Sequence, residues 1–178
     1  STGRALGDEV MTRLKRLNAV LAVAALFFVV VYHLTNLYAT QHHGVEGFIL
    51  GGGSVYSALF WIGQVLLGTI VPVALFWTPS IKSRLSIIVG ALLIILGGFS
   101  MIYVVVVGGQ AYPMDLISGM TVSSSFGDGQ IATYVPTLAE FLLGMGGVAF
   151  AIFGALFVVK ILPFMPQSLA DSKPADAE

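Results

Sequence analysis

Four stretches of this chain stay apolar for twenty or more residues, and short polar segments separate them. They cover about residues 17–38, 55–77, 85–107 and 136–160. An α-helix rises about 1.5 Å per residue, so each stretch can cross a hydrocarbon core of roughly 30 Å. None alternates with the period of two that a transmembrane β-barrel needs. The predicted fold class is all-α: a polytopic membrane protein whose four transmembrane helices form one bundle over residues 17–162. Residues 1–16 would be a polar lead, too charged at its start to read as a signal peptide. Residues 163–178, small, polar and proline-containing, would trail as a disordered tail.

Prolines punctuate the pattern. Thr78-Pro79 stops the second span, because proline disfavours helix at the residue before it, and Pro136 suits the first turn of the fourth. Basic residues set the orientation. Arg13, Lys15, Arg16, Lys82, Arg84 and Lys160 lie at one set of span ends, whereas loops 40–54 and 108–134 have no lysine or arginine. By the positive-inside rule both termini are cytoplasmic and those two loops lie outside.

Composition sharpens this picture. Hydrophobic residues make up 57% of the chain and charged ones 10%, with a mean hydropathy of +0.93, which fits a lipid-embedded protein and gives no basis for nucleic-acid binding. The chain has no cysteine. It therefore has no disulfide, thiolate metal site, iron–sulfur ligand or c-type haem attachment of its own, and such a centre would sit on a partner. Glycines mark where helices approach: Gly90, Gly97 and Gly98 on the third span, and Gly147 with Ala151 and Ala155 on the fourth. Gly51-Gly52-Gly53 lacks the continuation of a phosphate loop and reads as a hinge.

Polar residues concentrate toward the outer side. All three histidines lie between positions 33 and 43. On a helix His33, Asn36 and Thr40 share one stripe that would face the bundle interior. The outer segments add His42, His43, Glu46, Gln110, Tyr112, Asp115, Asp128 and Tyr134, and Glu140 lies about one turn inside the fourth span. An intramembrane ionisable side chain is costly and points to function. The bland readings are an interior histidine bonded to a neighbouring helix, a helix N-terminal carboxylate stabilised by the dipole, and solvated loop histidines. Haem ligation between two helices is disfavoured, since every histidine belongs to the first span or the loop after it. A zinc site at His42, His43 and Glu46 lacks the spacing that puts two imidazoles on one helical face. A quinone suits the inventory better. Its flat ring is apolar, its carbonyl oxygens need donors at the membrane edge, and its redox chemistry moves protons that a histidine and a carboxylate can exchange.

Four segments carry a family resemblance: His33-Leu34-Thr35-Asn36-Leu37-Tyr38, Gln41-His42-His43-Gly44-Val45-Glu46-Gly47, Gly108-Gly109-Gln110-Ala111-Tyr112-Pro113, and Tyr134-Val135-Pro136-Thr137-Leu138-Ala139-Glu140. From about Lys15 to Pro166 the chain resembles the NrfD/PsrC family, the quinone-interacting membrane subunits of polysulfide-reductase-type complexes, and most nearly its DsrP-type members. The resemblance implies a bacterial or archaeal cytoplasmic membrane, menaquinone or ubiquinone as cofactor, and an iron–sulfur, ferredoxin-like partner on the outer face. It also implies proton movement in some members. Members usually have eight or more spans in two bundles. The four here match the C-terminal bundle, so a second membrane chain or bundle would supply the rest.

The resulting assignment places His33, Asn36, Tyr38 and Tyr134 at the quinone and Glu140 with Asp115 in proton transfer. His42, His43, Glu46 and Gln110 fall at the docking surface. The competing class is half of a transporter, or a structural or assembly subunit without redox chemistry. Transport would be favoured by a broken helix, for which Gly68 and Pro72, with Gln64 beside them, are the candidate.

Overall fold

A computed structural model describes residues 7–78, 84–113, 125–127 and 129–162. Lys82, Asp115, Asp128 and the expected tail lie outside them. Among the described residues all regular structure is helical. The helices long and apolar enough to cross a membrane are α1 (Asp8–Tyr38), α3 (Val55–Trp77), α4 (Arg84–Ala111) and α5 (Leu138–Ile161). A short helix, α2 (His43–Leu50), lies between the first two. The chain divides into a unit of Thr12–Thr133 and a second unit of Ser1–Met11 with Tyr134–Glu178.

α1 starts well before the expected first span. Asp8 and Glu9 occupy its first turn, where carboxylates oppose the positive end of the helix dipole. The expected lead is thus helical from residue 8. Buried Ala19, Ala22, Val29 and His33, with Leu26 and Asn36 half-buried between and beyond them, recur at alternating spacings of three and four. That is one helical face, and it carries the histidine at its outer end.

α3 buries every fourth residue: Tyr56, Phe60, Gln64, Gly68, Pro72 and Phe76. A period of four drifts around an ordinary helix of 3.6 residues per turn. Here Leu59–Ile70 winds in wider i→i+5 turns, which keeps the stripe straight. The Thr69 hydroxyl donates to the Gln64 carbonyl five residues back, at 3.2 Å. Pro72 lacks an N–H and crowds the carbonyl four residues before it, and the wider turns immediately ahead of it accommodate the ring. Helix therefore continues to Trp77 and stops at extended Thr78, as Pro79 requires. The break that a transporter reading would use is absent from this span.

α3 and α4 meet at glycines. A Cβ on Gly68 would lie 2.5 Å from the Gly97 Cα, and one on Gly97 would lie equally too near Gly68. Gly90 receives the ring of Phe76, whereas a Cβ on Gly98 would meet nothing within 4 Å. Gly90 and Gly97 thus have the expected packing role and Gly98 does not. Val29 of α1, Ile49 of α2, Phe60 of α3 and Val104 of α4 form the buried core.

α5 is described by itself. Thr137 is its N-cap, and Thr137 and Glu140 form a capping box, each side chain bonding the other's backbone N–H. Pro136 accordingly stands before the cap and not in the first turn. The residues of α5 are exposed, and a Cβ on Gly147 would meet nothing within 4 Å. The close packing expected of its small-residue stripe is not found within this unit.

Candidate functional site

The segment expected as an outer loop is mostly helix. After Tyr38 the chain turns through extended Ala39 into a single 3₁₀ turn, Thr40–His42, and enters α2 at once. The ring Nε2 of His43 bonds the Leu37 carbonyl, tying the start of α2 to the end of α1. Gly51 follows α2, and Gly53 adopts φ 62°, a left-handed conformation that glycine takes without steric cost. The three-glycine run is thus the turn between α2 and α3. Ser54 then caps α3, its hydroxyl accepting from the Ser57 N–H at 3.3 Å.

Several contacts fix how α2 lies. Its carboxy-terminal carbonyl, Leu50, accepts from the Trp61 indole at 2.9 Å. Tyr112, just past the end of α4, lies over Gly44 so closely that a Cβ there would come within 2.5 Å of its hydroxyl. Its ring lies 5.7 Å from that of Phe48. Two of the sequence motifs, one around Gly44 and one around Tyr112, therefore meet in space. The face of α2 that they press inward carries Glu46 and Ile49.

Glu46 is 1% exposed. One carboxyl oxygen is 2.6 Å from His33 Nδ1, and the other accepts from the Asn36 amide at 2.8 Å. Both oxygens are thus engaged by α1 side chains one turn apart. An isolated charge at this depth would cost several kcal/mol, and pairing plus hydrogen bonding on both oxygens offsets it. The docking role expected of Glu46 is corrected on this ground: a side chain so buried has no surface to offer a partner. The zinc grouping loses its carboxylate for the same reason.

His33 lies about 7.5 Å before the carboxy-terminal end of α1, from five residues of helical rise. Phe60 and Tyr32 meet its ring edge-on at 4.7 and 5.1 Å. Nδ1 is committed to Glu46. No described residue hydrogen-bonds Nε2, and 8% of the side chain remains accessible. With Glu46 ionised, Nδ1–H donates to it, and Nε2 accepts a proton in the neutral ring or donates one in the imidazolium.

The other expected residues separate. Tyr38 is 91% exposed, because it lies five positions beyond His33 and so off the buried stripe. Its expected place beside His33 is not observed. His42 and Gln110 are exposed. In the second unit the Tyr134 hydroxyl donates to Glu140 at 3.0 Å, and the Thr137 backbone N–H donates to the same oxygen at 2.7 Å. Glu140 is thereby occupied as a helix cap.

Helices that can span a membrane, together with a buried ionisable pair near one end of α1, describe a polytopic membrane protein that holds an imidazole near the end of its first span. The chain belongs to the NrfD family: the family model described as polysulphide reductase, NrfD, matches residues 5–114. Subunits of this family interact with quinones in membrane redox complexes. The match spans α1 to α4 and includes His33, Asn36, Glu46 and Tyr112, whereas the segment from Tyr134 to Glu140 lies beyond it. No curated protein and no solved structure matches the chain.

Proposed function

We propose that His33, held by Glu46 and Asn36, receives the carbonyl end of a quinone, and that the subunit passes electrons between the quinone pool and an iron–sulfur partner on the outer face. One observation carries this reading: Nδ1 of a buried imidazole is fixed by a carboxylate while Nε2 has no partner among the described residues. Tyr32, 44% exposed, offers apolar ring surface beside the imidazole, and buried Phe60 backs that imidazole. When bound, the quinone supplies two-electron, two-proton redox chemistry. The imidazolium donates a hydrogen bond or proton from Nε2, and the neutral ring accepts one there; Glu46 stabilises the charged ring and fixes its orientation. Asn36 holds the second carboxyl oxygen, so Glu46 cannot turn away. Either menaquinone or ubiquinone presents the carbonyl this arrangement needs.

Electron carriers belong to the partner, since this chain lacks cysteine. Exposed His42, at the turn into α2, and Gln110, at the end of α4, are candidates for its docking surface. Tyr134 and Glu140 enter this scheme only as the cap of α5, and coupling to proton movement would run through His33 and Glu46.

Replacing His33 by Ala tests the proposal in the assembled complex. Quinol-linked turnover should fall by about 100-fold, the lower end of what general acid–base groups contribute, with the complex still assembled. Unchanged turnover would remove His33 from the mechanism.

A further inference from the structure

At the opposite, basic end of the same unit a groove of about 470 Å³ is lined by Arg16, Ala19, Val20, Phe76 and Trp77. Its floor is built. Ala19 is 2% and Phe76 6% exposed, and the Phe76 ring is seated against Gly90 of α4, where a Cβ would come within 2.5 Å of it. Val20 and Trp77 form the rim, 57% and 68% exposed. Among the described residues Arg16 is the one cation lining it and has no hydrogen bond or ion pair, whereas Arg13, Lys15 and Arg84 each have a partner. The groove lies where α1 enters and α3 leaves the membrane. The positive-inside distribution puts that level at the cytoplasmic leaflet.

We infer that this groove binds an anionic phospholipid of the cytoplasmic leaflet, its phosphate at the Arg16 guanidinium and one acyl chain along Ala19, Val20 and Phe76. The chemistry of each part selects this occupant. A guanidinium that no described carboxylate pairs calls for an anion, and its fork matches two phosphate oxygens. The remaining lining is hydrocarbon and aromatic, which suits an acyl chain and gives an acidic peptide nothing to bond. Trp77 has the apolar ring and single N–H donor that favour the headgroup level. Basic pockets between helices on the cytoplasmic side are established binding places for anionic headgroups. The site is independent of the redox reading, because the two lie at opposite ends of α1.

The experiment is native mass spectrometry of the full-length chain in detergent, with phosphatidylglycerol or phosphatidylcholine of identical acyl chains added. Phosphatidylglycerol should be retained at least about five-fold better, the effect of one basic residue at an anionic surface. Arg16→Gln should abolish that preference, and Arg16→Lys should restore part of it. Val20→Trp, which fills the groove and keeps the arginine, should also abolish retention. Arg16 and Val20 are both exposed, and circular dichroism should show unchanged helix in all three variants. Equal retention of the two lipids, or a preference that survives Arg16→Gln or Val20→Trp, would overturn the proposal.

Discussion

Two carboxylates of this protein each bond an aromatic ring group, yet they do different work. Glu46 is buried and reaches residues 13 and 10 positions away on another helix. Glu140 is exposed and bonds residues six and three positions away at the start of its own helix. The first joins α2 to α1 and orients an imidazole. The second completes a capping box and ends there. Residue type makes the two alike, whereas burial and the sequence separation of the partners tell them apart.

The largest effect should come from removing the buried carboxylate. Glu46→Ala leaves the His33 imidazole and the Asn36 amide without a partner, at about 1–3 kcal/mol each. Thermal unfolding of the detergent-solubilised protein should show a loss of about 3 kcal/mol, and quinol-linked turnover should fall with it. A stable, active variant would break the distinction between the two carboxylates. A smaller loss is expected from Gly44→Ala, which touches neither carboxylate. The added methyl meets Tyr112 and must push α2 or the ring aside, at about 1–3 kcal/mol for overpacking. Turnover should drop as Glu46 shifts against His33, and a crystal structure or cryo-EM map of the variant should show that shift. Thr137→Ala should have the smallest effect, about 1 kcal/mol for a lost N-cap. It should leave turnover unchanged, and a turnover defect there would give the Glu140 pair a functional role after all.

The four spans were legible because apolar length and proline punctuation are local signals, and the end of α3 before Pro79 follows from one dihedral restriction. His33 and Asn36 could also be placed on one interior stripe from spacing alone. Their partner could not. Glu46 lies beyond the span in a segment too short to look like more than a loop, and its burial depends on Tyr112 closing over Gly44 from the far end of α4. Signals for it did exist: Glu46 and Ile49 stand three apart, and Gly44 precedes them as a place for close approach. Tyr38 shows the converse: it stands close to His33 in sequence but, five positions further on, off the buried stripe. The Thr-x-x-Glu spacing of Thr137 and Glu140 marks a capping box in sequence, and it explains Glu140 without any proton chemistry. The wider turns of α3 are written in the period-four recurrence of Tyr56, Phe60, Gln64, Gly68, Pro72 and Phe76, which straight 3.6-residue periodicity does not reveal.

Those wider turns also set how the protein fits its bilayer. At ordinary helical rise the 23 residues of α3 would extend about 34 Å, beyond the roughly 30 Å of hydrocarbon. A wider turn packs more residues into each ångström of axis, so α3 is shorter along its axis than its residue count suggests. Hydrophobic length is thereby set by winding as well as by residue count, and it is the length along the axis that a bilayer has to match.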